Sequence, residues 1–298
     1  MASSSRSFGV ELEFKGISLD YLNEALLKAR IIPFRYVLNH KAYEPKYDNW
    51  YLDYDKSVSE VLDNSDYIGG ELSSRILYDC DDDWFEIMNL VDFLNEIGAY
   101  SNDYCGLHLT YCVNEEIKKK EFLKTLCKVL SVYETDINLF YMGDKFSVRA
   151  EKDIYAKSIG LKAGEVLDSI DRMETVSHKN LYSFIRNKKM FTFTDGINLQ
   201  KYGLMEIRYP NGTLDFDTIH NDGDFSLSLI NAIANGKFNQ EYLDYVIDNA
   251  KDDSFKNKFL IGDDEKFSEL VDIIEDDSDK KNRYVRQYSR VINSKRSN

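Results

Sequence analysis

Gly203-Leu-Met-Glu-Ile-Arg208-Tyr-Pro-Asn-Gly-Thr-Leu214 sets one carboxylate, Glu206, and one guanidinium, Arg208, two residues apart in an apolar, strand-like setting. Alternate residues of a strand point to the same face, so the two side chains emerge together while Leu204, Met205 and Ile207 help to fix the strand. The segment Phe8-Gly-Val-Glu11-Leu-Glu13-Phe14 repeats the spacing with two acids. Their separation follows from the strand rise, roughly 7 Å. Two carboxylates that close in apolar surroundings raise each other's pKa unless a cation lies between them, and a divalent metal is the obvious cation.

Working outward, residues 7–14 read as a strand, and Leu19, Leu22, Leu26 and Ala29 recur at helical spacing over Leu19 to Arg30. Aromatic and β-branched runs at Phe34 to Leu38, Trp50 to Tyr54 and Tyr67 to Ile76 read as further strands, with Gly69-Gly70 as a bulge or close backbone approach. Asp81-Asp-Asp83 starts a helix that runs to about Ile97. Tyr104 to Val113 is a strand carrying His108, and Lys119 to Tyr133 an amphipathic helix. Met190 to Thr194 and Leu204 to Tyr209 read as strands joined through Asp195-Gly-Ile-Asn-Leu199, and after Asp215 the pattern is helical. The expectation is an α+β fold: a largely antiparallel sheet with helices on one face, then a helical C-terminal part. Residues 1–250 are assigned to the main domain and 251–298 to a C-terminal helix and basic tail.

With 298 residues and 43% apolar content, the chain is long enough for a sizeable core. It has no run of about 18 apolar residues and no signal-like apolar segment at its start, so a soluble, cytoplasmic protein without a membrane partner is expected. Cys80, Cys105, Cys112 and Cys127 lack a C-x-x-C pairing and read as structural thiols. The net charge of −14 argues against a nucleic-acid partner, since such binding depends on Lys and Arg. Residues 280–298 nevertheless carry seven basic side chains and no acid, leaving −21 on the rest. That tail reads as a basic end docked on an acidic body, or as a partner-binding or nucleic-acid-touching arm.

Strand-borne polar groups recur at Glu11, Glu13, Glu71 with Ser73, His108, and Glu206 with Arg208. Singly, each has a plain explanation: a solvated strand Glu, or a core histidine between two leucines. If the strands are adjacent, one sheet face carries four carboxylates, an imidazole and a guanidinium. Hard oxygen ligands with one imidazole suit Mg²⁺ or Mn²⁺. Such ions bridge nucleotide phosphates, and an Arg beside them binds phosphate oxygens. A Walker-type phosphate loop, a Gly-x-Ser-x-Gly elbow and a His-Glu-x-x-His helix are all absent from the sequence.

The ordered set Gly9-x-Glu11-x-Glu13, Trp50 with Asp55-x-Ser57, Glu71-x-Ser73, Cys105-Gly-Leu-His108, Asn198-Leu199 and Glu206-x-Arg208 with Gly212-Thr-Leu-Asp215 resembles the amidoligase family. That family is a branch of the glutamine synthetase and glutamate-cysteine ligase superfamily. The resemblance implies a curved antiparallel sheet forming a cup of the glutamine synthetase catalytic type, with helices on its outer face. It implies that Glu11, Glu13, Glu71, His108 and Glu206 hold Mg²⁺ or Mn²⁺ and that Arg208 contacts ATP. The implied activity is ATP-dependent amide formation between a carboxylate substrate and an amine acceptor (an amino acid, peptide, protein or cell-wall component) through an acyl-phosphate. Asp55, Ser57 and Ser73 are candidates for the substrate end. Asn198 is a ligand contact or a turn residue, and Arg149 and Arg186 are candidate phosphate or substrate contacts. A second His that the superfamily often shows is replaced here by Thr110. Two rival functions stand beside this one: a metal-dependent phosphotransferase of the guanidino kinase type, and a non-catalytic binding or assembly module. The oligomeric state stays open.

Overall fold

The alternation along Phe8 to Phe14 governs the architecture, because it gives the central strand one apolar and one polar face. The computed structural model describes residues 6–37, 48–61, 67–143, 156–159, 163–172, 197–200, 203–249 and 262–297. Its strands are β1 (Ser7–Ser18), β2 (Phe34–Val37), β3 (Trp50–Asp53), β4 (Glu60–Val61), β5 (Tyr67–Ser73), β6 (Leu77–Tyr78), β7 (Leu107–Cys112), β8 (Ile197–Gln200) and β9 (Leu204–Ile207). Its helices, renumbered in chain order, are α1 (Leu19–Ala29), α2 (Asp81–Glu96), α3 (Lys120–Phe140), α4 (Ala163–Asp171), α5 (Phe216–Ala234), α6 (Gln240–Asn249), α7 (Asp264–Ile274) and α8 (Ser278–Ser297).

The strands form one open mixed sheet in the order β2-β3-β5-β1-β7-β9-β8, with β4 on β5 and β6 on β1. Among the described strands, every pairing is antiparallel except β2 with β3. Register carries the β1 alternation across the sheet. Leu12 lies opposite Leu72 and Leu107, Leu72 opposite Leu52, and Leu109 opposite Ile207. All six are buried, and a one-residue slip in any pair would turn an apolar set to the other face.

Helices cover the apolar side. Phe8 stacks on Trp84 of α2 at 5.0 Å, and Tyr111 of β7 donates a 2.8 Å hydrogen bond to the Gly223 carbonyl of α5. Gly223 is needed there, since a Cβ would come within 2.5 Å of the Trp84 ring. Asp215 caps α5 by accepting from the Thr218 backbone at 3.1 Å. α3, α5, α7 and α8 meet in an aromatic cluster of Phe140, Phe225, Phe267, Tyr284 and Tyr288. Gly69, at φ 80°, marks the irregularity expected in Gly69-Gly70, where the β1–β5 register shifts between Phe14 and Ser18. Among the described residues, no helix is long and apolar enough to cross a membrane.

Three readings change. Asp195-Gly-Ile-Asn-Leu199 is not only a connection: Ile197–Gln200 is strand β8, paired antiparallel with β9. Lys119 to Tyr133 extends to Phe140 as α3, because its apolar face continues through Ile137 and Phe140 into the aromatic cluster. The basic tail docks on the acidic body as expected, Lys280 and Arg283 pairing with the buried Asp224 of α5, but it does so as helix α8, with Tyr284, Tyr288 and Val291 buried at helical spacing. The expected strand Met190 to Thr194 lies outside the described residues, as do Arg149 and Arg186.

Candidate functional site

The register that buries the leucines gathers polar side chains on the opposite face. Asp53, Glu71 and Glu13 stand in one cross-strand row; Tyr51, Ser73, Glu11 and His108 form the next. Thr110, Glu206 and Asn198 form a third. β1 thus supplies two acids at adjacent levels, and its neighbours supply the rest.

Glu11, Glu13 and His108 each offer one atom within 4.8 Å of the others. His108 Nδ1 lies 2.6 Å from Glu11 Oε1 and 3.8 Å from Glu206 Oε1, and Nε2 lies 3.6 Å from Glu13 Oε1. The other Glu13 oxygen accepts the backbone N–H of Gly106. Glu206 accepts from Arg208 Nη1 and, at 2.8 Å, from Asn198 Nδ2. Burial pulls the Arg208 guanidinium down, but Glu206, Glu11 and Glu13 outweigh it and hold its pKa above the ordinary value. Burial first, then the negative charges of Glu11, Asp55 and Glu13 and a hydrogen bond with Glu11, push the Glu71 carboxyl well above the usual carboxylate range. A cation placed among these acids offsets the mutual repulsion that adds to burial in disfavouring the charged Glu71. The donor set, carboxylate oxygens with one imidazole, fits Mg²⁺ or Mn²⁺ better than Zn²⁺. Glu11, Glu13 and His108 would hold such an ion, with Glu71 and Glu206 flanking them.

Each expected residue has a definite place. Asn198 lies in β8 opposite Glu206, so the turn alternative is corrected. Ser73 lies opposite both Glu11 and Tyr51. Asp55 reaches Glu71 electrostatically, yet it also accepts from the backbone and hydroxyl of the exposed Ser57, the side-chain-capped turn that is the plain reading of Asp-x-Ser. Thr110 faces the same side as Glu206.

The sequence reading passed over Asp53. It is buried, lies opposite Glu71 and accepts from its neighbour's backbone, Tyr54 N–H, at 2.7 Å. Its signal was present: Tyr51 and Asp53 alternate with Trp50 and Leu52. Glu134 of α3 was also missed. This buried carboxylate accepts from Ile159 N–H at 2.7 Å, from Ser158 Oγ and from the hydroxyl of Tyr209, the residue after Arg208. Nothing local in the α3 sequence predicts partners 25 and 75 residues away.

The acid-rich cluster and the half-buried Arg208 guanidinium lie on one sheet face of a mixed α+β fold. The chain belongs to the family described as "Putative amidoligase enzyme", whose model matches residues 4–230 and so spans every strand and the whole cluster. No curated characterised protein matches it.

The crowding has a measurable consequence. A raised Glu71 pKa means that the metal-free fold holds a proton the unfolded chain has released. Glu71's stabilising contribution is therefore complete below its unfolded value, about 4.5, and declines as pH rises through the raised folded value. Thermal melts in chelator should show wild type losing stability relative to Glu71→Gln across that window, with Mn²⁺ restoring it at neutral pH. Parallel melting curves would show that Glu71 does not carry that proton.

Proposed function

We propose that the protein is an ATP- and Mg²⁺-dependent carboxylate-amine ligase whose polar sheet face is the floor of a glutamine synthetase-type cup. In this reading residues 1–250 form the catalytic unit and 251–298 buttress it. The observation that carries the proposal is the convergence of Glu11, Glu13 and His108 within ligating range, next to Glu71, Glu206 and the half-buried Arg208. Family membership supplies the reaction class.

The chemistry suits the residues. A carboxylate is a poor acyl donor until one of its oxygens leaves as phosphate. An oxygen of the acid substrate attacks the γ-phosphorus of ATP and ADP departs; the amine nitrogen then attacks the acyl carbon, inorganic phosphate leaves, and a proton is lost from nitrogen. Bound Mg²⁺ or Mn²⁺ would neutralise phosphate charge during the first transfer. The carboxylates would hold the ion, and Asn198 and Arg208 hold Glu206 between them. Arg208 would supply guanidinium N–H donors to phosphate oxygens. No protein nucleophile is required.

The test is incubation with ATP, Mg²⁺ and mixtures of acids and amines, following ADP, phosphate and new amide mass. Phosphate release that needs an acid and an amine together is the expected result. A phosphorylated amine would indicate a guanidino kinase type of transfer instead. Failure to bind both metal and ATP would leave a binding or assembly module.

A further inference from the structure

Lys15 continues the line of Glu11 and Glu13 along β1, so three charged residues at i, i+2 and i+4 share the polar face. Its Cα lies one strand repeat beyond Glu13, roughly 7 Å. Only 13% of its side chain is exposed, yet the partner of its Nζ is Glu60 of β4, 2.9 Å away and 70% exposed. The half-exposed ring of Tyr104 lies 5.9 Å from the same nitrogen.

The backbone around Lys15 is shaped closely. Lys15 and Tyr100 exchange both backbone hydrogen bonds, at 2.7 and 3.0 Å, and Gly16 follows at φ 92°. On the other side, a Cβ on Gly69 would meet the Phe14 carbonyl at 2.7 Å. The lysine is therefore held between β4 and the segment around Tyr100 and Tyr104. The buried Cys105 thiol reports the neighbourhood: burial pushes it up, Asn102 and Ser101 pull it down, and it feels both Glu13 and Lys15. An ion pair with a solvated carboxylate contributes little to stability. Its partner is correspondingly easy to exchange for another anion.

We propose that Lys15 is a specificity-determining residue that binds a second anionic group of the acid substrate, displacing Glu60, so that the preferred acid is a dianion. One carboxylate is activated near Glu13 and the metal-binding group, and the other is held at the edge of the sheet face. This rests on the ligase reading. A lysine ammonium, as a point charge, accepts carboxylate without demanding bidentate geometry.

The experiment uses the full chain with Mg²⁺ and a non-hydrolysable ATP analogue. Binding of the analogue is measured first by calorimetry, and its failure would count against the ligase reading alone. Linear dicarboxylates from succinate to pimelate are then titrated, with and without the analogue, against monocarboxylates of equal carbon number. The expected result is that one dicarboxylate binds more tightly than its monocarboxylate counterpart. Lys15→Met should weaken it by about tenfold, the scale of one lost charge-assisted hydrogen bond. Lys15→Arg should restore most of that affinity, and Glu60→Gln should tighten binding, because it removes the competing anion. A purely structural ion pair predicts instead that Lys15→Met and Glu60→Gln act alike. Equal binding of mono- and dicarboxylates, equal losses for both in Lys15→Met, or weaker dicarboxylate binding in Glu60→Gln would each overturn the proposal. If Lys15→Met does not fold, the sign of the Glu60→Gln effect decides.

Discussion

Replacing Arg208 by alanine is expected to lower ATP-dependent turnover about a thousandfold or more while leaving Mn²⁺ binding intact or tighter. An arginine that meets the charge developing on a transferred phosphoryl group is worth about 10³ to 10⁵ in rate. A thousandfold loss corresponds to about 4 kcal/mol of transition-state stabilisation. The metal expectation comes from the same geometry. Arg208 is the counter-ion of Glu206, and its charge is sustained by Glu206, Glu11 and Glu13. Its removal leaves those carboxylates with one cation fewer and so makes them better ligands, unless Glu71 takes up the excess as a proton. ADP release and Mn²⁺ titration read the two effects separately. Arg208→Lys should fall between, since it keeps the charge and loses the planar fork. If Arg208→Ala retains turnover within tenfold of wild type, Arg208 is only an ion-pair partner. If both Mn²⁺ binding and the fold are lost, the pair with Glu206 is structural.

The sequence discloses faces better than it discloses neighbours. Period-two alternation put Glu11 with Glu13 and Glu206 with Arg208, because a strand leaves no other choice. That Glu13 lies opposite Glu71, and Glu11 opposite His108, is set by pairing between segments some sixty and a hundred residues apart, which no local pattern specifies. Strand β8 was hidden for a related reason. Asp195-Gly196 is a strong turn signal, and four residues after it become a strand only because β9 offers an edge. In α8, seven basic residues mask a stripe of Tyr284, Tyr288 and Val291. The partner of Lys280 and Arg283 is Asp224, which the sequence keeps on another helix. Asp55 shows the converse. Its local turn with Ser57 was legible, but its electrostatic reach to Glu71 was not.

Tyr288→Ala should destabilise the protein by about 3–5 kcal/mol, the range for deleting a large buried aromatic, and the loss should be visible as a lower urea midpoint. The ring stacks on Phe267 with centroids 4.0 Å apart and planes 5° from parallel, and its hydroxyl donates to Asp136 Oδ1 at 2.8 Å. Asp136 is fully buried on α3 and also accepts the Asp263 N–H at 3.1 Å, so one residue ties α8, α7 and α3 together. Tyr288→Phe separates the two contributions. It keeps the stack, and because Asp136 retains Lys266 at 3.1 Å, the cost should be about 1–2 kcal/mol. The consequence for the site runs along α3, whose Glu134 accepts from the Tyr209 hydroxyl one residue beyond Arg208. Tyr288 itself touches α7 and α3 rather than the cluster, so Tyr288→Ala should still bind Mn²⁺ normally below its melting transition and lose binding only as it unfolds. A variant that stays folded but loses metal affinity would mean that α8 positions the cluster as well as stabilising it. A Tyr288→Ala midpoint equal to that of Tyr288→Phe would mean that the ring stack contributes nothing to holding α8 in place.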